Sequence, residues 1–359
     1  MTKREEQLLQ WIRENPLISQ QELADRAGLT RSSVGVHIAN LMKKGLIRGR
    51  GYLLGEESYI AVVGAVNVDI SGTPDTELLP GDSNPGHVRI TLGGVGRNIA
   101  ENLSRLGHKV FMITALGEDS NAAQVKQGCR ETGIDLSHSL VVPQGRTSTY
   151  LCLNDEEGEI VGAVSDMAIY DALTPAFLSA KLEVLNRAAL VIVDGNLSSE
   201  TLGYLGRNVT SPIFADPVSV KKAHHLKGAL RAVTAIKPNR PEASLLTGVN
   251  IKTHEDLPLA AEAFFQLGVK NVFISLGGEG VYYDNGHDRG ILPIITGPIH
   301  NTNGCGDAFL AAAADGYLSG LNIHDIALRG LAASSLCARS ESAVSPLMSA
   351  DALESILDQ

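Results

Sequence analysis

The sequence predicts an α/β protein with a doubly wound, mostly parallel sheet, preceded by a small helical domain. Short apolar strand patterns alternate with helical patterns, as such a sheet requires. The strand patterns lie near residues 59–64, 110–114, 190–194, 212–215, 232–236 and 272–276. Charge marks the boundary between the two parts, because residues 1–55 carry a net charge of +4 and the remainder carries −14. We therefore predict one domain over 1–55 and a second over 56–359.

Helical patterns fill the basic N-terminal domain. They run from about Arg4 to Glu14, from Gln20 to Ala27 and from Thr30 to Lys44, and a short hairpin pattern follows over 46–54. The arrangement resembles a winged helix-turn-helix domain, which implies binding of duplex DNA through the third helix and the hairpin. The expected DNA-binding residues are Arg31, Ser32, Ser33, Lys43, Lys44, Arg48 and Arg50. The alternative is a packing or oligomerisation unit whose basic residues form a solvated face.

The first strand pattern of the second domain leads into polar residues. Residues 59–64 have the pattern of a buried strand, and Asn67 and Asp69 follow at its C-terminal end, where open parallel sheets place ligands. A glycine-rich loop, Gly93-Gly94-Val95-Gly96-Arg97-Asn98, then precedes a helical pattern. Polar–apolar alternation near 84–92, 147–154 and 159–165 interrupts the α/β pattern. Such alternation is typical of strands, here near 72–92 and 147–165.

The segment Asn301–Phe309 holds the richest functional pattern. Its sequence Asn-Thr-Asn-Gly-Cys-Gly-Asp places a glycine-rich loop directly before an apolar helical run. The N–H groups and the dipole of such a helix N-terminus favour a phosphate, and Asp307 could accept a proton from a hydroxyl held beside it. Phosphoryl transfer needs both features. The alternative is a plain turn before a helix.

The order of these motifs resembles the PfkB (ribokinase-like) carbohydrate kinase family. Gly93 to Asn98 resembles its GGxGxN motif, and Asn301 to Asp307 resembles its DTxGAGD motif, with Asn301 replacing the usual Asp and Cys305 the usual Ala. The resemblance implies that the alternating segments form a small β-sheet lid that closes over substrate and can form a dimer interface. It also implies a catalytic base, Asp307, and an anion hole made by the amides of Gly304, Cys305 and Gly306. The implied substrate-binding residues of these motifs are Asn67, Asp69, Gly93, Gly94 and Asn98.

Two further segments imply the nucleotide side of the site. Lys237-Pro238-Asn239-Arg240-Pro241-Glu242 resembles the family's NxxE motif, in which Asn239 and Glu242 would organise Mg²⁺ through water. The alternative is a capping box at a helix start. The segment Ser275–Gly280 resembles the family's nucleotide loop, and no Walker-type GxxxxGK[ST] occurs. The implied ATP contacts are Asn239, Ser275, Gly277, Gly280 and Thr302.

The implied activity is ATP- and Mg²⁺-dependent phosphorylation of a ribosyl hydroxyl. The segments around Asn84, Arg97 and Asp166 resemble bacterial pseudouridine kinases, which implies the 5′-hydroxyl of pseudouridine, and Asn84, Arg97, Thr149 and Asp166 are the candidates for contact with the base. The motifs also allow two other functions. The protein could be a kinase of another nucleoside or of a free sugar such as ribose or fructose, or a transcription regulator whose kinase fold only senses a ligand. The change at Asn301 also leaves open whether a monovalent cation such as K⁺ binds near the catalytic loop.

The composition of the chain indicates in which compartment the protein is expected and which classes of protein it does not resemble. No apolar run approaches the length of a membrane span, and residues 1–7 are charged rather than signal-like, so we expect a cytoplasmic protein that does not bind a membrane. The four cysteines lack CxxC spacing, which argues against a disulfide framework or a zinc site. With the lid as its interface, the protein is expected to form a homodimer.

Overall fold

The computed structural model describes residues 2–15, 17–47 and 58–358. The chain divides into two compact units, Met1–Glu56 and Glu57–Gln359. Within the described residues, no helix combines the length and the apolar character needed to cross a membrane.

The N-terminal unit is a three-helix bundle, as the sequence predicts. Its helices are α1 (Lys3–Glu14), α2 (Gln20–Ala27) and α3 (Arg31–Lys43). The hydroxyls of Thr2, Ser19 and Thr30 accept a backbone N–H in the first turn of each helix, which fixes where it begins. Apolar residues from all three helices form the core, including Leu8, Leu23 and Val34. The predicted hairpin residues 48–54, with Arg48 and Arg50, lie outside the described residues.

The second unit is built on a sheet to which nine strands of the described residues belong, in the order β15-β14-β13-β12-β11-β10-β1-β4-β6. Pairing is parallel from β6 to β13, whereas β14 and β15 are antiparallel. The strands of this sheet are β1 (Tyr59–Val63), β4 (Lys109–Ile113), β6 (Ile134–Asp135), β10 (Leu190–Asp194), β11 (Ile213–Asp216), β12 (Val233–Ile236), β13 (Asn271–Ser275), β14 (Val281–Asp284) and β15 (Arg289–Leu292). The remaining strands are β2 (Asn67–Pro74), β3 (Gly86–Gly93), β5 (Ala115–Leu116), β7 (Leu140–Val141), β8 (Thr149–Asn154) and β9 (Ile160–Asp166).

Helices cover both faces of the main sheet, which confirms the doubly wound α/β prediction. Alternate residues of β1 enter different cores: Ile60 and Val62 pack on one face, and Ala61 and Val63 on the other. Strands buried on both faces read as continuous apolar runs, which is why the sequence identified them. The helices of this unit are α4 (Val95–Arg105), α5 (Ser120–Glu131), α6 (Pro175–Ser179), α7 (Leu182–Arg187), α8 (Ser199–Asn208), α9 (Val220–Ala223), α10 (Arg240–Thr247), α11 (Leu257–Gln266), α12 (Cys305–Leu318), α13 (Ile323–Ala338) and α14 (Ala350–Leu357).

The small sheet that the family resemblance implies is present, and its strands have the order β3-β2-β8-β9. One detail differs from the prediction: Asn67 and Asp69 do not simply follow β1 but are the first and third residues of β2. Both are therefore held by strand pairing at the base of the small sheet, where it leaves the main one. We call this four-stranded sheet the lid.

Candidate active site

The candidate active site lies at the carboxyl edge of the main sheet. There β10 and β11 end in Asp194 and Asp216, which are neighbours in the parallel pairing, and β12 is followed by Lys237. All three charged residues are buried, and the Lys237 ammonium forms an ion pair with Asp216 at 3.1 Å. Ligands of open α/β sheets bind at this edge. Sequence analysis missed these residues as a group, since only strand order brings them together.

The predicted catalytic loop forms the N-terminus of α12. Gly304 caps the helix with φ 83°, and a Cβ there would overlap the carbonyl oxygen of Ala343. The first-turn N–H groups of a helix have no intrahelical partners and favour an anion, although that of Cys305 reaches the Thr302 carbonyl at 3.4 Å. The Lys237 ammonium lies 2.9 Å from where a Cβ of Gly306 would stand. A buried cation and a helix N-terminus therefore face the same point.

Asp307, in the first turn of α12, is buried and hydrogen-bonded across the site. Its Oδ2 accepts from Nδ2 of Asn98 at 2.8 Å. Burial raises the pKa of Asp307 to about 8, and the negative charge of Asp216 adds to this, whereas the Asn98 hydrogen bond and Lys237 oppose it. A carboxylate of this kind is a stronger base than an ordinary one. The two motifs that the sequence singled out, more than 200 residues apart, thus meet at one hydrogen bond.

The substrate loop is arranged around Asp69. A Cβ on Gly93 would overlap the Asp69 carboxylate, so glycine is needed for this packing. Within the described residues, Oδ1 of Asp69 is buried and has no hydrogen-bond partner. Burial raises the pKa of Asp69 to about 6, and the nearby Arg97 opposes that shift. An unpaired buried carboxylate oxygen fits a hydroxyl donor from a ligand.

Asn67 is oriented by two hydroxyl groups. Its Oδ1 accepts from Ser148 Oγ at 2.8 Å and lies 3.5 Å from the Tyr170 hydroxyl. Tyr170 is itself fixed, because it accepts from the N–H of Val66 at 2.8 Å and donates to the carbonyl of the same residue. The amide oxygen of Asn67 is therefore occupied, and Nδ2 is the group offered to a ligand.

Arg97, a predicted substrate contact, holds the loop together. One guanidinium nitrogen donates to the Leu92 carbonyl at 3.1 Å and to Oδ1 of Asn98 at 3.3 Å, and the other pairs with Glu101. The bond to Asn98 turns the amide so that its Nδ2 faces Asp307. Gly94, with φ 97°, begins this turn, and a Cβ there would lie 2.6 Å from the Ala65 carbonyl oxygen.

The structure does not bring Asn84, Thr149 and Asp166 to Asp69. Asn84 is partly buried, and its side chain closes the β2–β3 turn through bonds to the backbone of Leu79 and Asp82. Thr149 accepts from Asn121 of α5 at 3.0 Å.

The lid register explains the placement of Thr149 and Asp166. Asp69 lies opposite Thr91 and Tyr150, whereas Thr149 and Asp166 pair with each other on the opposite face of the lid. The residues that share the face of Asp69 are Thr91, Tyr150 and Ser165. These replace Thr149 and Asp166 as the lid residues on the side of the site.

All the predicted nucleotide contacts line one cavity of about 600 Å³, together with Cys305, Gly306 and Asp307. They are Asn239, Ser275, Gly277, Gly280 and Thr302. The volume is in the range of small-molecule sites. Apolar residues that the sequence did not single out form part of its wall: Val281, Ile294, Ile295, Ile299 and Leu331. The cavity thus combines apolar surface, suited to a flat heterocycle, with the polar helix N-terminus.

Asn239 and Glu242 confirm one interpretation of their motif, the capping box, and their place in the cavity leaves the role with Mg²⁺ as a prediction. They form the capping box of α10, with reciprocal backbone bonds of 2.9 Å, and both also line the cavity. Burial raises the pKa of Glu242, against the bond from Asn239. Asp216 adds a second buried carboxylate to the same cavity.

Val218, beside Asp216, has φ 70°, which is rare for a β-branched residue. Its N–H donates to Oδ1 of Asp216 at 2.7 Å. Unusual backbone of this kind is often found at functional sites. The two carboxylate oxygens of Asp216 thus have different partners, the N–H of Val218 for Oδ1 and the ammonium of Lys237 for Oδ2.

Lys222 is a second cation that sequence analysis missed. It is half-buried, it donates to Oδ1 of Asn196 at 2.5 Å, and its nitrogen lies 3.1 Å from the Met167 sulfur. Within the described residues it forms no ion pair, and burial lowers the pKa of its ammonium. Asn196 in turn donates its N–H to Asp194 at 2.9 Å, and Asp194 accepts from the N–H of Gly96 in the substrate loop at 3.0 Å. Lys222 is therefore connected to that loop.

The predicted DNA-contacting residues of α3 differ in availability. Arg31, Ser32 and Lys43 are exposed, and Ser33 is partly buried in the capping turn. Lys44 instead forms an ion pair with the buried Glu5 at 2.6 Å. Its ammonium thus has a structural partner within the bundle.

Known proteins resemble both units. Residues 57–350 match the model of the pfkB family carbohydrate kinases, and residues 1–48 match that of winged helix-turn-helix DNA-binding domains. The chain is 35% identical over 355 residues to the Uncharacterized sugar kinase YeiI of Escherichia coli (strain K12), covering 98% of each chain. It is 37% identical over 269 residues to the pseudouridine kinase of the same organism, covering 74% of this chain and 86% of that protein. A solved carbohydrate kinase from Agrobacterium tumefaciens has a TM-score of 0.74 at 30% identity, over 84% of this chain and 97% of its own. These matches confirm the resemblances expected from sequence.

Proposed function

The chain belongs to the pfkB family of carbohydrate kinases, phosphotransferases with an alcohol group as acceptor, and on that premise we propose that it phosphorylates the 5′-hydroxyl of pseudouridine with ATP. The observation that carries the proposal is the hydrogen bond between Asn98 and Asp307. It joins the loop that would hold the ribose to the proposed base, Asp307, which lines the cavity suited to the nucleotide.

Each group has a role that follows from its position. Asp69 and Asn67 would bind ribose hydroxyls, the first as acceptor and the second through Nδ2. Asp307 would take the proton of the attacking hydroxyl. Lys237 and the first-turn amides of α12 would neutralise charge on the transferring phosphoryl group. Little covalent chemistry is asked of the protein, since positioning and charge supply most of the rate enhancement in such transfers.

The residues present fit a divalent cation. The carboxylates of Asp216 and Glu242 line the cavity, with Asn239 beside them, and Mg²⁺ prefers one or two carboxylates together with water and phosphate. Held there, Mg²⁺ would supply positive charge that offsets the negative charge of the ATP phosphates.

The surroundings of Asn301 do not fit K⁺. A neutral amide stands where the family has a carboxylate, its Oδ1 accepts from the Asn303 N–H at 2.9 Å, and its Nδ2 points to the Glu341 carbonyl. We therefore assign K⁺ no role in the reaction.

Pseudouridine is favoured over a free sugar by the pseudouridine kinase relative and by Lys222. A half-buried ammonium without an ion pair suits a carbonyl oxygen of a base, which a free pentose lacks. Kinases of other nucleosides or of ribose or fructose remain the alternative. Replacing Lys222 with methionine should raise KM for a nucleoside at least tenfold and leave KM for ribose within about threefold.

A homodimer through the lid is part of the proposal. Ile70, Ile90, Leu151 and Val164 lie side by side on the lid face opposite Asp69. Ile90, Leu151 and Val164 are 53%, 49% and 65% exposed. A contiguous apolar row of this kind indicates an interaction surface. Val164→Lys should convert a dimer into a monomer in analytical ultracentrifugation.

The N-terminal unit is proposed to bind duplex DNA, and the whole protein to act in the cytoplasm. The exposed Arg31, Ser32 and Lys43 on α3 and the winged helix-turn-helix match support DNA binding. The kinase fold could instead serve a regulator only as a ligand sensor. An intact Asp307–Asn98 pair favours the enzyme.

One assay panel tests the activity. ADP release would be measured with pseudouridine, uridine, guanosine, ribose, fructose and fructose phosphate, and the product would be identified by mass. Pseudouridine should give the highest kcat/KM, with uridine as the matched comparison because it differs only in the glycosidic bond. Asp307→Asn protein gives the background. Activity with ribose alone would replace the proposed substrate, and absence of activity across the panel would favour the sensor.

A further inference from the structure

Two of the four cysteines meet beside the catalytic loop. Cys305 is the first residue of α12, and Cys337 lies near the end of α13, the helix packed against it. Cys305 packs against the buried cluster to which Cys337 belongs. Cys337 also lies 3.5 Å from the Asn303 carbonyl, and Cys305 lies 3.9 Å from that of Asn301. The start of α12 and the end of α13 thus place both sulfurs against the backbone of one loop, Asn301–Asn303.

The two thiols differ in access. Cys305 is only partly buried and lines the nucleotide cavity, whereas Cys337 is buried behind it. The hydrogen bond from Cys337 lowers the pKa of the Cys305 thiol, and the same bond raises the pKa of Cys337. Burial raises the pKa of Cys129 and Cys152 instead. Since the thiolate is the reactive species, Cys305 is the cysteine expected to react first.

We propose that Cys305 and Cys337 form an oxidisable dithiol that switches the kinase off when a peroxide converts it to a disulfide. The Cys305 thiolate attacks one peroxide oxygen, the O–O bond breaks, and hydroxide leaves and takes up a proton as water. The Cys337 sulfur then attacks the sulfur of the resulting sulfenic acid and forms the disulfide bond. The hydroxyl group leaves and takes up the thiol proton of Cys337, which gives a second water. Two thiols lose two electrons and two protons, and one hydrogen peroxide becomes two waters.

Loss of activity follows from where the bond forms. A disulfide holds its sulfurs at about 2.05 Å, closer than two hydrogen-bonded thiols. Closing that gap must pull the first turn of α12 toward α13, and this turn carries the amides of Cys305 and Gly306 and the carboxylate of Asp307. Misplacement of a reacting group by about 1 Å can cost roughly 100-fold in rate. Reduction of the bond restores the turn.

The test uses the full chain, treated with hydrogen peroxide and then divided for two measurements. Non-reducing peptide mass spectrometry detects a Cys305–Cys337 link by the loss of two hydrogens, independently of any activity. Residual kinase activity is measured before and after dithiothreitol, and ADP bound beforehand should slow the reaction because Cys305 lines the cavity. Cys337→Ala is the test variant, with Cys337→Ser if alanine destabilises the fold, and Cys152→Ser is the matched control.

We expect the wild type and Cys152→Ser to form the link and to lose at least tenfold in activity, recovered by dithiothreitol. Cys337→Ala should form no link and should be inactivated at least tenfold more slowly. Absence of the link in oxidised wild type, or inactivation of Cys337→Ala at the wild-type rate, would overturn the proposal. The inference uses the kinase activity as one readout, but the link itself is detected whatever the substrate proves to be.

Discussion

Replacing Asp216 with asparagine should move the pH dependence of the kinase to lower pH. Burial raises the pKa of Asp307 to about 8, and the charge of Asp216 contributes to that shift. Asp216 also holds the Lys237 ammonium by an ion pair at 3.1 Å. Asparagine removes the negative charge and releases Lys237 toward Asp307. Both changes favour the ionised form of Asp307.

The expected size of the effect follows from the pKa. A base with a pKa of about 8 is ionised in roughly a tenth of the molecules at pH 7. Because Asp307 must be ionised to accept a proton, kcat/KM for ATP should rise about fivefold to tenfold between pH 7 and 9. In the Asp216→Asn protein the pH at the midpoint of the kcat/KM profile should fall by at least about one unit. This is the low end of the pKa shift that a single neighbouring charge causes. The variant should also be slower, because Asp216 lines the cavity, but its midpoint does not depend on its absolute rate.

The assay compares initial rates of ADP release from pH 6 to 10, with Mg²⁺ and the second substrate saturating. Asp315→Asn is the matched control. Asp315 is a buried carboxylate on the same helix, roughly 12 Å along it from Asp307, and it pairs with His108 and Arg329. Its substitution should leave the midpoint unchanged.

Three results would refute the reasoning. A wild-type profile that is flat from pH 6 to 9 would mean that burial does not raise the pKa of Asp307. A profile of Asp216→Asn that superimposes on the wild type would mean that Asp216 does not act on Asp307. An equal shift in Asp315→Asn would mean that the effect is general rather than local.

Other substitutions separate binding, stability and DNA recognition. Asp69→Ala should raise KM for the nucleoside at least tenfold with a smaller change in kcat, because a buried charge-assisted hydrogen bond is worth about 1.5–3 kcal/mol; an unchanged KM would put the ribose elsewhere. Asp307→Asn should lower kcat by several orders of magnitude, yet raise Tm at pH 7 in calorimetry. A carboxyl whose folded pKa lies above its unfolded value of 3.8 destabilises the fold increasingly as pH rises from about 4 to 8, so a lower Tm would contradict its raised pKa. Arg31→Ala should reduce the salt dependence of duplex binding by about one unit of log–log slope in mobility-shift titrations. Lys44→Ala, which removes an ammonium already paired with Glu5, should leave that slope unchanged.

The order of the elements and the catalytic loop could be predicted from sequence because both have local causes. Strands such as β1 and β10 are buried on both faces and stand out as apolar runs. Gly304 needs a positive φ at the start of α12, and Asp307 follows it at a spacing that the helix fixes. No long-range information is needed for either.

Placement on the lid could not be predicted in the same way. Polar–apolar alternation shows that a strand exists, but a shift of one residue moves a side chain to the other face. Thr149 and Tyr150 are adjacent in sequence, and only pairing with β2 shows that Tyr150 shares the face of Asp69. The charged group at Asp194, Asp216 and Lys237 was missed for a related reason, since three separate strands must be ordered before it forms.

The motif that contains Asn239 and Glu242 has two interpretations, a helix cap and the proposed role with Mg²⁺, and the two are compatible. The capping box uses Oδ1 of Asn239 and Oε2 of Glu242, and this starts α10 at the sheet edge. Oε1 of Glu242 takes no part in the cap, in a buried carboxylate whose pKa burial raises. An anion that is costly to ionise in an apolar wall gains most from a bound cation. The cap therefore fixes the position of the Glu242 carboxylate, and the same burial that raises its pKa would favour the proposed cation beside it.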